Sequence, residues 1–511
     1  MPCTTILVGK DASYDGSCIM ARNDDAGAGH FTPKKFVVIQ PSEQPIEYES
    51  VLSHVKIELP KDPMRYTAVP NIDNEKGIWA ACGINEAGVG MSATETITSN
   101  PRVLGADPLV VYDPDTNTPG GIGEEDLVYI TLPYIHSARE GVERLGKLLE
   151  QYGTYEMNGI GFSDTKEVWW LESIGGHHWM ARRVPDDAYV AMPNQLGIDY
   201  FDFEDAYGKK ENFMCSADLK DFTLRWNLDL TLEGPFDPRA AFGSHDDADH
   251  VYNTPRAWYI ERYLNPNTFV WDGEDPDFSP RSDDIPWCLV PEKKITIEDV
   301  KYLLSSHYQG TPYDPYMSYG DRSMAGAYRS IGVNRTSFLG IIQNRPHAKA
   351  LEWISFGANP FNISVPFYVD VDQTPEYVSN TTASVDTNNF YWVSRLIEAM
   401  ADASYKESLN IIERYQNAAF AKGHEIINRY DALISKETDP KAKESLCAKA
   451  NQELADMAQK LSADAGSSAL SAQLQYEKRL REKRCVTEMK TVEFLTVFFV
   501  VLWYNLRDLS P

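Results

Sequence analysis

Short apolar runs bounded by Gly, Asp or Pro dominate the first 240 residues, and that pattern predicts strands joined by tight turns. Such runs occupy Thr4–Val8, 18–22, 36–40, 78–82 and 89–94. One segment breaks the pattern: Val128, Leu132, Ile135, Ala138, Val142, Leu145 and Leu149 recur every three or four residues. That period predicts an amphipathic helix over 124–151, with Pro133 kinking it or marking its true start. Three further runs, 157–162, 167–172 and 178–182, read as consecutive antiparallel strands turning at Ser163-Asp164 and Gly175-Gly176. The 240–290 stretch, rich in Asp, Pro and aromatics, predicts irregular loops. Thr296 is placed to cap a helix over 297–306. Strands return at 337–343, Leu351–Phe356 and 365–371. From about 388 to 485 the composition shifts to Ala, Glu, Lys, Leu and Gln at helical spacing, exemplified by Leu396, Met400, Tyr405, Leu409 and Ile412. The fold class expected is α+β with a helical C-terminal region.

Composition narrows the possibilities. The 511 residues carry a formal net charge of -27, which argues against a nucleic-acid partner, because phosphate binding needs clustered Lys and Arg. Hydrophobic residues make up 43 % of the chain and aromatics 12 %, as in an ordinary globular protein. The seven cysteines, at 3, 18, 82, 215, 288, 447 and 485, form no CxxC pair and suggest neither a disulfide framework nor a thiolate metal site. No charged stretch followed by an apolar one marks a signal peptide at the N-terminus, so a cytoplasmic location is expected. The apolar run 494–504 is eleven residues long, short of the roughly 20 that span a bilayer. We expect that tail to lie on the core or at a subunit contact of a homo-oligomer, with peripheral membrane contact as the alternative and no stable membrane insertion.

The candidate chemistry starts at Cys3. Loss of Met1 and Pro2 would leave one residue carrying a thiol and an α-amine whose ordinary pKa, about 7.7–8.0, suits it to move the thiol's proton. The segment Arg22-Asn23-Asp24-Asp25 ends the second predicted strand, which an antiparallel turn near Asp15-Gly16 brings beside Cys3. An Arg guanidinium there favours the thiolate and a carboxylate can orient an ammonium. Asn85-Glu86-Ala87-Gly88 reads as a hairpin turn whose return strand carries Thr94 and Glu95. Asn194 follows an apolar strand, a position from which an amide can serve as an oxyanion donor. A metal peptidase is disfavoured: His177 and His178 are adjacent, not four apart on a helix, and nothing resembles H-E-x-x-H. Asp113, Asp115, Asn117 and Glu124 mimic a calcium loop, but Thr118 stands where that loop needs Gly, so an acidic turn is expected. No cofactor is expected.

Taken in order, Cys3-Thr4-Thr5-Ile6-Leu7-Val8-Gly9, Ala21–Asp25, Asn85–Glu95, Gly121–Asp126, Trp169-Trp170-Leu171-Glu172, Met192-Pro193-Asn194-Gln195 and Asn253-Thr254-Pro255-Arg256 resemble the C69 dipeptidases. The resemblance runs from Cys3 to about residue 470. It implies an N-terminal-nucleophile hydrolase with a four-layer αββα core, divided as a pro-segment 1–2, a hydrolase core 3–387, a helical region 388–485 and an apolar tail 486–511. Cys3 would be the nucleophile and its freed amine the base. Arg22 would support the thiolate, Asp25 hold the amine, Asn194 supply an oxyanion donor and Arg256 steady the site. Glu95 falls near the oxyanion position of related choloylglycine hydrolases and penicillin V acylases, where some have Asn or Tyr, and is expected to bind the ammonium of a dipeptide. Self-cleavage of Pro2-Cys3 by an N-to-S shift would free the amine. Two alternatives are an amidase acting on a non-peptide amide, and a non-catalytic interaction protein of the secernin kind.

Overall fold

The computed structural model describes residues 3–27, 29–73 and 75–484. Met1 and Pro2, the expected pro-segment, and the tail from 485 onward lie outside the described residues. Strand Thr4–Val8 pairs antiparallel with Cys18–Asp25 on one side and Tyr189–Met192 on the other. These three lie within a seven-stranded sheet ordered Cys288–Leu289, Tyr189–Met192, Thr4–Val8, Cys18–Asp25, Thr336–Asn344, Leu351–Phe356, Val365–Tyr368. A six-stranded sheet follows the order Phe213–Cys215, His178–Val184, Val168–Ile174, Asn158–Ser163, Gly90–Thr96, Cys82–Ile84.

The two sheets stack face to face, and glycine sets how closely. A Cβ on Gly161 would come within 2.3 Å of Met20 Sδ in the opposite sheet, and one on Gly90 within 2.7 Å of Ile342 Cγ2. Helix Ala138–Tyr152 covers the outer face of the six-stranded sheet. Gly141 and Gly146 let it settle on the rings of Phe162 and Trp179, while Val142, Leu145 and Leu149 are buried below it. Helices Ile297–Leu304 and Phe390–Ala403 cover the outer face of the other sheet. The layers are therefore helix, sheet, sheet, helix, the αββα order expected from the resemblance. Strands with both faces covered need no alternation, and Cys18–Asp25 is buried at all eight positions.

The C-terminal region is helical: Phe390–Ala403 is followed by Tyr405–Ile434 and Pro440–Arg484. The last packs a small-residue face, including Ala450, Ala455 and Ala458, inward. Its Asn451 exchanges two 2.8 Å hydrogen bonds with the backbone of Tyr368, which closes the exposed edge of strand Val365–Tyr368. Among the described residues no helix is long and apolar enough to cross a membrane.

Several expected elements differ in the structure. The helix expected over 124–151 is broken into Leu127–Thr131, a 3-10 turn Leu132–Tyr134 and Ala138–Tyr152. Pro133 has no N–H to continue the first piece, and Ser137 restarts the helix by accepting from Glu140 N at 3.2 Å. The 240–290 stretch is not loop throughout. It holds helices Pro238–Phe242, Asp249–Tyr252 and Thr254–Leu264, the last opening with Pro255 in its first turn, where a missing N–H costs nothing. The first 240 residues also hold short helices Pro101–Ala106, Phe203–Tyr207 and Leu219–Arg225, the first two of which start at side-chain caps on Asn100 and Asp202. Residues 78–81 form no strand, because Trp79 and Ala81 take left-handed backbone with φ of 51° and 59°. Thr296 caps Ile297–Leu304 by accepting from Asp299 N at 3.0 Å, as expected, though the helix ends two residues early.

Candidate active site

Strand register assembles the site. Thr5 stands opposite Arg22 on one side and Met192 on the other, so the residues just past Met192 arrive beside the head of the first strand. Arg22 Nη1 donates to Cys3 Sγ at 3.0 Å. The thiol is fully buried, and burial pushes its pKa well up. Arg22 pulls it back, but Glu95, Asp24 and Glu124 add to the rise. Cys3 therefore keeps its proton until a base removes it. Burial weakens the charge on Arg22 too, but its anionic neighbours outweigh that and hold it charged. It also meets Asp24 Oδ1 at 3.7 Å and Glu124 Oε1 at 3.9 Å. Asp24 in turn meets Lys34 Nζ at 3.0 Å. Burial disfavours the Asp24 charge, yet Lys34 and Arg22 hold its carboxyl below the usual range.

Arg256, on helix Thr254–Leu264, is completely buried and reads the other side of the site. Nη1 donates to the Cys3 carbonyl and, at 2.7 Å, to Thr4 Oγ1. Nη2 donates to Asn194 Oδ1 at 2.8 Å and Asn253 Oδ1 at 2.6 Å, and Nε to the Tyr252 carbonyl at 2.5 Å. A guanidinium can only donate, so it dictates the flip of the Asn194 amide. The oxygen faces Arg256 and the amino group faces Glu95 Oε2 at 3.1 Å. Glu95 Oε1 accepts from Thr5 Oγ1 at 2.7 Å. Burial pushes the Glu95 carboxyl up to about 8 against the pull of Arg256. It also lowers Arg256 to about 9, with Arg329 pushing the same way.

The loop carrying Asn194 is anchored from the opposite sheet. Glu172 Oε1 accepts Gly197 N at 2.8 Å, Ile198 N at 3.4 Å and Trp170 Nε1 at 3.0 Å. Thus Cys3, Arg22, Asn194, Arg256 and Glu95 are joined through direct contacts or one shared partner. Asp25 lies at the end of the Arg22 strand, buried, where it accepts from Thr336 Oγ1 at 2.5 Å and pairs with Arg329. Among the described residues those two groups are its side-chain partners, and the Cys3 thiol is not one of them. His177 and His178 both close on Asp107, at 2.9 and 2.7 Å, and tie a turn to the helix before it. Asp113 uses its carboxylate on its own turn, accepting Asp115 N at 2.9 Å and Thr116 Oγ1 at 2.7 Å.

Peptidase family C69 matches this sequence over residues 2–418. The chain belongs to that family. Its relatives include a dipeptidase of Bifidobacterium longum, 58 % identical over 446 residues that cover 85 % of this chain and 84 % of the relative. A probable dipeptidase A of Streptococcus pyogenes serotype M3 is 52 % identical over 86 % of this chain and 91 % of its own length. A probable dipeptidase B of Lactococcus lactis is 44 % identical over 89 % and 92 %. The C69 chain is accordingly a peptidase.

Several residues of this C69 site escaped the sequence reading. Lys34 and Arg329 lie in segments with no periodic pattern and Thr336 lies one residue before the strand expected at 337–343, and only the fold brings them to Asp24 and Asp25. Thr5 and Asn253 lie inside segments quoted for the resemblance, but their side-chain contacts depend on strand register and on the helix start at Thr254.

Proposed function

We propose that this peptidase hydrolyses dipeptides with Cys3 as an N-terminal nucleophile, after removal of Met1 and Pro2. The observation that carries the reading is the buried Cys3 thiol 3.0 Å from Arg22, beside an Asn194 amide whose orientation Arg256 dictates. The names borne by the relatives support the substrate class. Burial leaves the thiol needing a base, and a freed α-amine on the same residue supplies one. The amine takes the proton and Sγ attacks the peptide carbonyl. Asn194 Nδ2 donates to the tetrahedral oxyanion, which collapses to a thioester as the ammonium protonates the departing amino acid. Water, deprotonated by the same amine, then releases the first residue.

Asp25 is assigned to the amine end of the site, where Arg329 and Thr336 hold its carboxylate in place. Both Glu95 oxygens already hold bonds, one to Thr5 and one to Asn194. We therefore assign Glu95 to positioning Asn194, in place of the ammonium contact expected from the sequence. The test is intact mass and dipeptide hydrolysis on the purified protein. The mature chain is expected to begin at Cys3, and Cys3→Ala to keep Pro2 and lose hydrolysis. Near wild-type hydrolysis by Cys3→Ala would refute the mechanism.

A further inference from the structure

Glu124 is a buried carboxylate with no assigned task. It sits in the turn before helix Leu127–Thr131, held by Asp126, which accepts from Gly123 N at 3.1 Å and from Tyr48 OH at 2.5 Å. Glu124 N donates to Glu156 Oε1 at 2.7 Å, but no hydrogen bond reaches the Glu124 carboxylate from any described residue. Arg22 Nη1 lies 3.9 Å from it. The other carboxylates here are committed: Asp24 to Lys34, Glu95 to Thr5 and Asn194, Glu156 to the Glu124 backbone. Glu124 faces a tight crevice, with Arg22 on one wall and Trp79 and Ala81 on another. That second wall is the turn in which Trp79 and Ala81 take left-handed backbone, a strained arrangement that tends to collect at functional sites.

Cys3 Sγ and Glu124 Oε1 lie 3.0 and 3.9 Å from the same guanidinium nitrogen, so they are at most about 7 Å apart. An α-amino acyl group bridges this separation in a bent arrangement, its end-to-end reach being longer than the separation. Its nitrogen and carbonyl carbon are separated by about 2.5 Å from standard bond lengths. A charged hydrogen bond adds about 2.8 Å at one end, and a thiolate approach about 3–3.5 Å at the other.

We propose that Glu124 receives the α-ammonium of the substrate's first residue. This rests on the dipeptidase reading and adds the group that demands a free amine. Burial raises the Glu124 carboxyl to about 7, so an arriving ammonium also stabilises its charged form.

The experiment compares alanyl-leucine with propionyl-leucine, which lacks only the amine. Wild type, Glu124→Gln and Glu124→Asp are each produced with Cys3 directly after the initiator Met, so that processing is not a variable. Wild type is expected to prefer alanyl-leucine strongly. Glu124→Gln is expected to shrink that preference roughly ten- to a hundredfold, through kcat/KM for alanyl-leucine, with Cys3 alkylation by iodoacetamide unchanged. Glu124→Asp keeps a charge and is expected to recover part of the preference. A preference unchanged in Glu124→Gln, or reduced equally in both variants, overturns the proposal. Wild type that cleaves neither compound while Cys3 still alkylates removes the dipeptidase reading itself.

Discussion

Replacing Arg22 by Met removes the guanidinium from the Cys3 thiol and keeps most of the side chain's volume. At 3.0 Å, with an effective dielectric of about 20, the attraction between a thiolate and this cation is about 5.5 kcal/mol. At 1.36 kcal/mol per pKa unit, that is about four units on the thiol. The surroundings recover part of this. Asp24 keeps Lys34 at 3.0 Å, and Glu124, already raised to about 7, takes up a proton when its cation goes. Those two responses are also why the variant should fold: neither carboxylate is left as an unpaired buried charge. The expected outcome is a fall in the iodoacetamide reaction of Cys3 at pH 7 by at least tenfold, and by as much as about 10⁴. The assay uses chains beginning at Cys3, follows the label by intact mass, and takes Cys3→Ala as the blank for Cys18, Cys82 and Cys447, which are also buried. It needs no substrate, so it is independent of which amide the enzyme cleaves. A rate within threefold of wild type would show that Arg22 does not hold the thiolate.

Asn194→Ala should lower turnover by about 10²–10³ while leaving the protein folded. Arg256→Lys keeps the charge but loses the planar fork, and should cost about 10²-fold in kcat/KM. If Arg256 acts through Asn194, the double variant is no worse than Asn194→Ala, and full additivity of the two losses would refute that route. Glu95 is neutral below about 8 and ionised above it, and its charge pushes the Cys3 thiol up. The kcat/KM profile is therefore expected to fall on the alkaline side above about 8, and Glu95→Gln to lose that limb. The same alkaline limb in the variant would rule Glu95 out.

The readable parts of the chain were those where one pattern decided the outcome. Thr4–Val8 and Leu351–Phe356 emerge with the bounds expected, because short apolar runs between turn formers have few other uses. The second strand was legible only as far as Arg22. Asn23, Asp24 and Asp25 look like a solvated turn, yet they continue the strand because each finds a buried partner: the Leu304 carbonyl, Lys34 and Thr336. Helix Thr254–Leu264 was hidden for a related reason. The stretch around it, rich in Asp, Pro and aromatics, reads as loop, although Pro255 in a first turn is compatible with a helix. Asn194 stood out by its place after an apolar strand, but Arg256 entered through resemblance alone, since neither spacing nor composition links residues 62 positions apart. Arg329 had no local signal at all.

The charges gathered at this site explain why it can host an anion. Four cations, Arg22, Lys34, Arg256 and Arg329, meet four carboxylates, Asp24, Asp25, Glu95 and Glu124, and all eight side chains are buried. Asp24 and Asp25 sit in close ion pairs with Lys34 and Arg329, which matches two of the cations. The remaining two, Arg22 and Arg256, face carboxyls whose burial has raised them to about 7 and about 8. Near neutral pH those two carboxyls carry well under two full charges, so the cleft has positive charge to spare. A thiolate, and then an oxyanion, can supply the missing negative charge without paying the full desolvation of an isolated ion. Had both glutamates been fully ionised, Cys3 would face a neutral cluster and its thiol would stay protonated at the cost of rate. The burial that leaves the thiol protonated at rest thus also keeps Glu95 and Glu124 from cancelling the cations that stabilise its reactive form.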